Sequence, residues 1–249
     1  MNPFTTHGID HLSASAINQF AASPAIFVLE RVLKRKTPVG AAAHRGSAVE
    51  DGIVHGLTTG ADDDACVTYA MASFDRRAAL SGDLRRDTER KAVGDMVKTG
   101  LAELRSYGEP TSIQGKIEHS FPDVMVPLIG FYDTEWAQHG ILIDIKSTHR
   151  IPSEISTSHA RQVALYQTAR SDNADARLSY ISPKRAATYQ LENFRRHLAA
   201  MERIALTIQR FLSISADPQE LVAIVAPDTD SYYLADPSAR QAAFDVWGY

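Results

Sequence analysis

Three charged residues in two neighbouring strand-like segments have types and spacing that suit metal-dependent chemistry. One segment carries Asp133 after an aromatic pair, and the next carries Asp144 and Lys146 within an apolar run. Because side chains alternate along a strand, Asp144 and Lys146 share one face. If an even turn is centred on Gln138-His139, Asp133 lies directly opposite Asp144, with β-carbons roughly 4.5–5.5 Å apart. A three-residue loop closed by Gly140 would break this register instead.

The opposed carboxylates of such a hairpin repel one another unless a cation lies between them. Oxygen ligands at this spacing suit a hard divalent ion such as Mg²⁺ or Mn²⁺. Lys146, on the same face, would place a positive charge where a phosphate or an attacking water sits. Charged residues inside the apolar run 141–146 are costly to bury unless they are paired or ligated. Two interpretations stay open from these residues alone: an active site, or a surface hairpin with ordinary polar residues.

The composition is that of an ordinary globular protein and excludes several kinds of site. The chain has 249 residues, a net charge of −4 and one cysteine, Cys66. A single cysteine excludes an internal disulfide framework and a four-cysteine zinc or iron–sulfur site. No apolar run approaches the ~18 residues that cross a bilayer, and no secretory signal is visible, so we expect a cytoplasmic protein. Two basic clusters, Arg31–Lys36 and residues 76–98, are either phosphate contacts or solvated helix faces.

The segments around the hairpin predict a layered α/β domain with a mixed sheet, because clustered strands are flanked by helical patterns. We expect one domain, 1–249, with a mainly helical part (1–110), a catalytic sheet–helix core (111–212) and a C-terminal docking segment (213–249). The predicted helices cover 16–20, 24–36, 41–57, most of 61–107, 156–170, 192–212 and 237–247, and the predicted strands cover 113–121, 126–136, 140–148, 178–182 and 186–191.

Five segments, in order along the chain, resemble the PD-(D/E)XK nuclease superfamily and, more narrowly, its RecB-like and lambda-exonuclease-like branch. The segments are Leu12–Phe20, similar to the opening of the branch, Gly46–Glu50, similar to the first motif on a helix, Gly130–Asp133, Ile143–Thr148, and Gln162–Tyr166, similar to the QxxxY motif. A lone D…DxK pattern is weakly specific, whereas five motifs in order are specific. The resemblance implies a restriction-endonuclease-like core with a central mixed β-sheet flanked by helices, plus a helical N-terminal elaboration.

The resemblance also implies a role for each matching residue of the hairpin and the first motif. Asp133, Asp144 and the backbone carbonyl of Ile145 would bind Mg²⁺ or Mn²⁺, and Glu50 would complete the metal shell or hold its water. Lys146 would orient the attacking water or stabilise charge in the transition state.

Further residues are expected to brace the site or to contact DNA. Gln162 and Tyr166, on one helical face at i and i+4, would do either. The expected nucleic-acid contacts are Arg45, Ser47, Arg85, Arg86 and Lys91.

Departures from the family pattern refine these expectations. Many RecB-like nucleases have histidine where this chain has Glu50, which favours the lambda-exonuclease type. Ser23 stands near the position where some relatives carry an iron–sulfur cysteine, so no such cluster is expected. His44 and His159 rank below Glu50, because His44 is off its helical face and His159 is a lone histidine one turn before the QxxxY segment. Glu135 shares the face of Asp133 and is an outer-shell candidate.

The function that the resemblance implies is a Mg²⁺-dependent DNA exonuclease acting on double-stranded ends in recombination, repair or phage DNA processing. The alternatives are an endonuclease or single-strand-specific nuclease of the same fold, and a non-catalytic DNA-binding relative. The implied partners are DNA, a candidate single-strand annealing or binding protein, and a second copy in a candidate homo-oligomer. The location implied is a bacterial cell or a phage-infected host. The aromatic stretches 231–234 and 244–249 either contact another subunit or pack on the helix at 192–212, and the second interpretation is favoured.

Overall fold

The computed structural model describes residues 2–36, 38–168, 175–234 and 237–248. The chain divides by its internal contacts into two units. The first comprises residues 1–38, 117–130 and 195–249, and the second comprises residues 39–116 and 131–194. Every residue expected in the metal cluster belongs to the second unit. Among the described residues, no helix is long and apolar enough to cross a membrane.

The order of elements matches the predicted order of helices, strands, helix, strands and helices. The helices are α1 (Pro3–Thr6), α2 (Ala14–Ala22), α3 (Pro24–Phe27), α4 (Ala41–Thr59), α5 (Asp63–Arg77), α6 (Arg86–Leu104), α7 (Thr157–Gln167), α8 (Phe194–Leu212), α9 (Pro218–Ala223) and α10 (Pro237–Trp247). The strands are β1 (Ser112–His119), β2 (Leu128–Trp136), β3 (Ile141–Ser147), β4 (Asp175–Ile181) and β5 (Ala186–Gln190).

Helices α4, α5 and α6 pack closely because small residues line their contacts. A β-carbon added at Gly52 of α4 would lie only 2.7 Å from the β-carbon of Ala70 on α5, so a larger residue would force these helices apart. The apolar side chains of the three helices join Ile143 and Ile145 of β3 in one buried core. This packing holds α4, which carries Glu50, against one face of the sheet.

The sheet is mixed, with strand order β1-β2-β3-β4-β5. Strand β3 is antiparallel to β2 and parallel to β4, and β5 returns antiparallel to β4. The predicted mixed α/β architecture with helices on both sides is therefore confirmed. Strand β3 is central, and its residues from Ile141 to Ile145 are buried.

The register of the β2–β3 hairpin is the one that the even turn predicts. Thr134 pairs with Ile143, and Trp136 pairs with Ile141. The connection is a 3₁₀ turn, Ala137–His139, followed by Gly140 in the left-handed region at φ 66°. Glycine accepts this conformation without steric cost. The turn and Gly140 together have an even number of residues, so the pairing is preserved. One residue further along from the pair Thr134–Ile143, the same register sets Asp133 across from Asp144.

Helix α7 belongs to the crossover between the parallel strands β3 and β4, and it covers the face of the sheet opposite to α4. Ser156 caps its N-terminus by accepting from the His159 amide. Val163 of α7 packs on Leu178 and Tyr180 of β4 in a second apolar cluster. The predicted helix ran to residue 170, of which residues 169 and 170 lie outside the described part of the chain.

In the first unit two helices have serine caps, and one helix is shorter than predicted. Ser13 and Ser23 each accept from a backbone amide at the start of α2 and α3. The helix predicted to reach residue 36 changes to a π-helical turn at Val28–Val32 and ends there. Lys34 then adopts a positive φ of 59°, which no helix permits. Its ammonium donates to the Gly8 carbonyl at 2.9 Å, which helps to stabilise this conformation.

The C-terminal segment docks within the first unit. Ala239 and Ala243 of α10 pack with Ile26 of α3, and Trp247 is packed against the same cluster. The Trp247 indole donates to the Val222 carbonyl at 3.1 Å. The sequence favoured packing of this segment on the helix at 192–212. The contacts described here are instead with α3 and α9, and α9 was not predicted from the sequence.

Candidate active site

The hairpin brings two carboxylates and one ammonium group together in a buried position. Asp144 is 1% exposed and Asp133 is 9% exposed. The Lys146 Nζ atom lies 2.5 Å from Asp144 Oδ2. Asp133 Oδ2 accepts a hydrogen bond of 2.6 Å from the backbone amide of Ile145. The Asp133 side chain thus accepts the hydrogen bond that a backbone carbonyl of β2 would otherwise accept, at the point where β2 and β3 diverge.

The electrostatics of this group favour an additional cation. Burial raises the pKa of Asp133 well above its usual range, and the charge of Asp144 raises it further. Burial lowers the pKa of Lys146, but the charges of Asp144 and Asp133 outweigh this effect and raise it above its ordinary value. Lys146 is therefore positively charged at neutral pH.

Glu50 approaches the same group from helix α4. Burial raises the pKa of its carboxyl, against the opposing effects of a hydrogen bond from Gln114 and the charge of Lys146. Gln114 Nε2 donates to Glu50 Oε1 at 3.3 Å. Gln114 lies on β1 with φ 49°, an uncommon conformation for a residue other than glycine. Sequence reasoning missed Gln114, and the only local signal was its position before Gly115.

Helix α7 braces the carboxylate of Asp144. Gln162 Nε2 donates to Asp144 Oδ1 at 3.2 Å and to the Tyr166 hydroxyl at 2.5 Å. Tyr166 is 4% exposed, and burial followed by the charge of Asp144 raises the pKa of its phenol. The i and i+4 spacing therefore places both side chains on the face of α7 that meets the sheet. Gln162 contacts the acidic cluster directly, and Tyr166 is joined to it through Gln162.

The donor set fits a hard divalent cation, although no ready-made metal cage is present. Among the described residues, no three histidine, cysteine, aspartate or glutamate side chains converge closely enough to hold an ion as they stand. The reason is visible in the contacts: Asp133 bonds to an amide, Asp144 to Lys146, and Glu50 to Gln114. Two buried carboxylates, the half-buried carboxylate of Glu50 and one lysine provide the oxygen ligands that Mg²⁺ or Mn²⁺ prefers. A bound ion would compete with Lys146 for Asp144 Oδ2.

Arg45 has a different environment from that of the expected DNA contact. Its side chain is 7% exposed and forms an ion pair with Glu89 of α6, which is equally buried. Its Nε atom donates to Ser147 Oγ and its Nη2 atom to the Ser147 carbonyl, each at 3.1 Å. His149 Nε2 lies 3.0 Å from the same Glu89 oxygen. In the structure these donors hold the end of β3, one residue past Lys146, and the expected DNA contact of Arg45 stays a prediction.

The remaining expected DNA contacts lie in the second unit with varied exposure. Ser47 is half-buried on α4 and Lys91 is exposed on α6. Arg85 is exposed and bonds to Asp83, and this contact lowers the pKa of Asp83 to about 2. Arg86 is half-buried, and its Nε atom is buried without a hydrogen-bond partner.

Two of the other candidates raised from the sequence, Glu135 and His44, do not join the acidic cluster through any described contact. Glu135 is 4% exposed and accepts from the Tyr132 hydroxyl at 2.7 Å. His44 is half-buried on α4. His159, by contrast, lies beside the cluster, where the charges of Lys146 and Asp144 act on its ring.

Comparison with solved structures supports the fold. A candidate exonuclease from Eubacterium rectale superposes with a TM-score of 0.56 and 12% sequence identity, covering 93% of this chain and 88% of that chain. Identity at this level shows a shared fold and nothing about substrate. The structure of SSO0001 is more distant, with a TM-score of 0.34, 14% identity, and coverage of 74% of this chain and 84% of that chain. A comparison with curated proteins finds no match.

The sequence profile of one family extends over nearly the whole chain. The profile of the PD-(D/E)XK nuclease superfamily matches residues 11–240, a range that includes the hairpin, α4 and α7. Together with the mixed sheet and the grouped Asp133, Asp144 and Lys146, this match places the chain in that superfamily: the protein is a member of the PD-(D/E)XK nucleases.

Proposed function

We propose that this protein is a metal-dependent deoxyribonuclease of the RecB-like and lambda-exonuclease-like branch, acting as an exonuclease on double-stranded DNA ends in recombination, repair or phage DNA processing. The observation that carries the proposal is the buried group of Asp133, Asp144 and Lys146, with Gln162 bonded to Asp144. Maintaining such unbalanced charge inside a protein is costly unless a ligand or a substrate compensates it.

The residues that would hold the metal are Glu50, Asp133, Asp144 and the Ile145 carbonyl. The amide of Ile145 points toward Asp133 on β2. Because the N–H and C=O of one strand residue point to the same side, the Ile145 carbonyl also faces that side. When bound, the ion would polarise the scissile phosphate and lower the pKa of a water molecule.

Lys146 would act on the phosphate once it has left Asp144. The Lys146 side chain is 28% exposed, so a phosphate oxygen of a bound strand would be able to approach its ammonium group. A preorganised donor at the position where negative charge develops is a major contribution to hydrolysis. Gln162 and Tyr166 would keep Asp144 in a fixed orientation through this exchange of partners.

The cations near the start of α6 are proposed to bind the DNA backbone. Arg85, Arg86 and Lys91 lie at the start of α6, and Glu89 of the same helix bonds to Arg45 beside the end of β3. Phosphate contacts of this kind provide affinity without sequence preference. The excess of acids in the cluster makes such a positive surface necessary for a polyanionic substrate.

The deciding experiment compares end-labelled linear duplex, nicked circular, closed circular and single-stranded DNA, each with Mg²⁺ and with EDTA. The proposal expects degradation of linear duplex in Mg²⁺ and intact closed circles. The matched control is Asp144→Asn, which should abolish cleavage while keeping the fold and DNA binding. Cutting of closed circles at the same rate would show an endonuclease. If no nucleic acid is cut under any metal condition, the protein is not a nuclease.

Assembly and partners are further proposals. A ring-forming homo-oligomer and a single-strand annealing or binding protein would both suit an enzyme that resects ends processively. Light scattering of the protein alone and on duplex DNA tests the first. A monomer in both conditions would eliminate a ring.

A further inference from the structure

A histidine–tyrosine pair lies beside the acidic cluster and has no role in the chemistry described so far. His159 Nδ1 is 2.8 Å from the Tyr180 hydroxyl, and the two ring centroids are 5.6 Å apart. His159 lies on α7, one turn before Gln162. Tyr180 lies on β4, where it is the register partner of Lys146. The pair therefore sits one residue row beyond the contact between Gln162 and Asp144, on the side of Lys146.

The hydrogen bonds around Tyr180 assign the tautomer of His159. The Tyr180 oxygen accepts the backbone N–H of Ser156 at 3.3 Å. We assign the proton of this hydroxyl to the contact with His159 Nδ1, which is then the unprotonated nitrogen of a neutral ring. The proton of the imidazole is therefore on Nε2, which takes no part in this contact and remains a hydrogen-bond donor.

A neutral ring agrees with its surroundings. Burial lowers the pKa of His159, and the positive charge of Lys146 lowers it further, while Asp144 opposes them. A second cation beside Lys146 would compete with a metal ion for the carboxylates. A neutral N–H donor avoids this competition and can still bond to an anionic oxygen.

We propose that His159, held by Tyr180, donates its Nε2–H to a non-bridging phosphate oxygen of the bound DNA strand, next to the oxygen that Lys146 contacts. His159 is then a catalytic residue and Tyr180 a positioning residue that acts through it. No proton is transferred and no bond is made or broken by His159. The inference rests on the proposed nuclease function and adds a substrate contact to that site.

Two amide substitutions separate the donor from the packing. In His159→Gln, the amide nitrogen can reach the position of Nε2, while the amide oxygen accepts from Tyr180. In His159→Asn, the shorter amide can keep the Tyr180 contact but cannot reach the phosphate. A hydrogen bond to a charged group is worth about 10- to 100-fold in rate. We expect His159→Asn to lower kcat/KM by about that factor and His159→Gln to restore most of it.

Tyr180→Phe tests the positioning role. It should lower kcat/KM in the wild-type background and have no further effect in the His159→Asn background, because residues that act through one another are not additive. Both backgrounds should keep the wild-type increase in melting temperature on adding Mg²⁺. Equal losses from Tyr180→Phe in the two backgrounds would overturn the assignment of Tyr180.

The wild-type protein is assayed in parallel on the same end-labelled duplex. If it fails to cleave with Mg²⁺ or Mn²⁺, the proposed function is refuted. If it cleaves and His159→Asn is equally active, or His159→Gln is as impaired as His159→Asn, the inference about His159 is refuted while the nuclease assignment stands. Anisotropy of the labelled duplex in Ca²⁺ gives a second readout, in which His159→Asn should bind more weakly than His159→Gln.

Discussion

The buried ion pair between Arg45 and Glu89 provides a quantitative test of how the end of β3 is held. Both side chains are 7% exposed, and Arg45 makes two further hydrogen bonds to Ser147. Arg45→Met leaves Glu89 buried without its strong partner. Removing one member of a buried pair costs about 3–5 kcal/mol. His149 remains 3.0 Å from Glu89, so we expect the lower half of that range, about 3–4 kcal/mol.

In a protein of this length, such a loss lowers the melting temperature by about 6–16 °C. Thermal unfolding followed by circular dichroism measures it. The matched control is Arg90→Met, which removes an ion pair with Asp75 whose side chains are 40% and 43% exposed. An exposed pair contributes about 0–1 kcal/mol, so this control should unfold within a few degrees of the wild type.

The double variant Arg45→Met/Glu89→Leu separates stability from catalysis. Replacing both members of a buried pair by apolar residues is often neutral or stabilising, so much of the melting temperature should return. Cleavage should stay slow, because Ser147 has still lost the hydrogen bonds that hold it beside Lys146. If Arg45→Met costs no more than Arg90→Met, or if the double variant recovers both stability and full activity, the ion pair does not position the strand.

Three further predictions concern the cluster and the DNA surface. Lys146→Met should keep metal binding, measured by titration calorimetry, and slow single-turnover cleavage by about 10²–10³; lost metal affinity with a normal rate at saturating metal would reverse the proposed roles. Neutralising Arg85 and Arg86 with glutamine should weaken DNA binding and reduce its salt slope by about one unit per lost contact; an unchanged slope would return both to a solvated surface. Because the pKa of Asp133 is raised, the folded metal-free protein holds that proton more tightly than the unfolded chain, so its stability should fall as the pH rises above the ordinary aspartate range. Mg²⁺ should restore the melting temperature at the higher pH, and identical pH profiles for the wild type and Asp133→Asn would contradict this explanation.

The sequence was most informative where local rules determine the structure. The sequence left the hairpin open between an even turn and a three-residue loop, and the observed register is that of the even turn. Strand alternation then places Asp133 across from Asp144 by continuation of this pairing. The i and i+4 spacing of Gln162 and Tyr166 likewise predicted a shared helical face. In both cases the relevant distance along the chain is short, so few conformations compete.

Contacts between distant parts of the chain were not predictable in the same way. Arg45 and Glu89 are 44 residues apart in sequence, and nothing local indicates that their helices bring the two side chains together. Arg45 is followed by a glycine and a serine, and this local sequence is as compatible with a phosphate contact as with a buried ion pair. Gln114, which bonds to Glu50, has a positive φ that propensity does not indicate. The π-helical turn after α3 likewise depends on packing within the first unit.

The division of the cluster between two kinds of support has a consequence for how such an enzyme can change. The register of a single hairpin fixes the positions of Asp133, Asp144 and Lys146 relative to one another. Their geometry therefore cannot vary unless the two strands pair in a different register. Glu50 arrives on a separate helix, and its contact in this structure is the exposed Gln114. If Glu50 is a metal ligand as proposed, a substitution at position 50 would exchange one ligand while the hairpin is unaltered. Under that proposal, metal preference would be adjustable in this scaffold, whereas the position of the phosphate would be set by the strands.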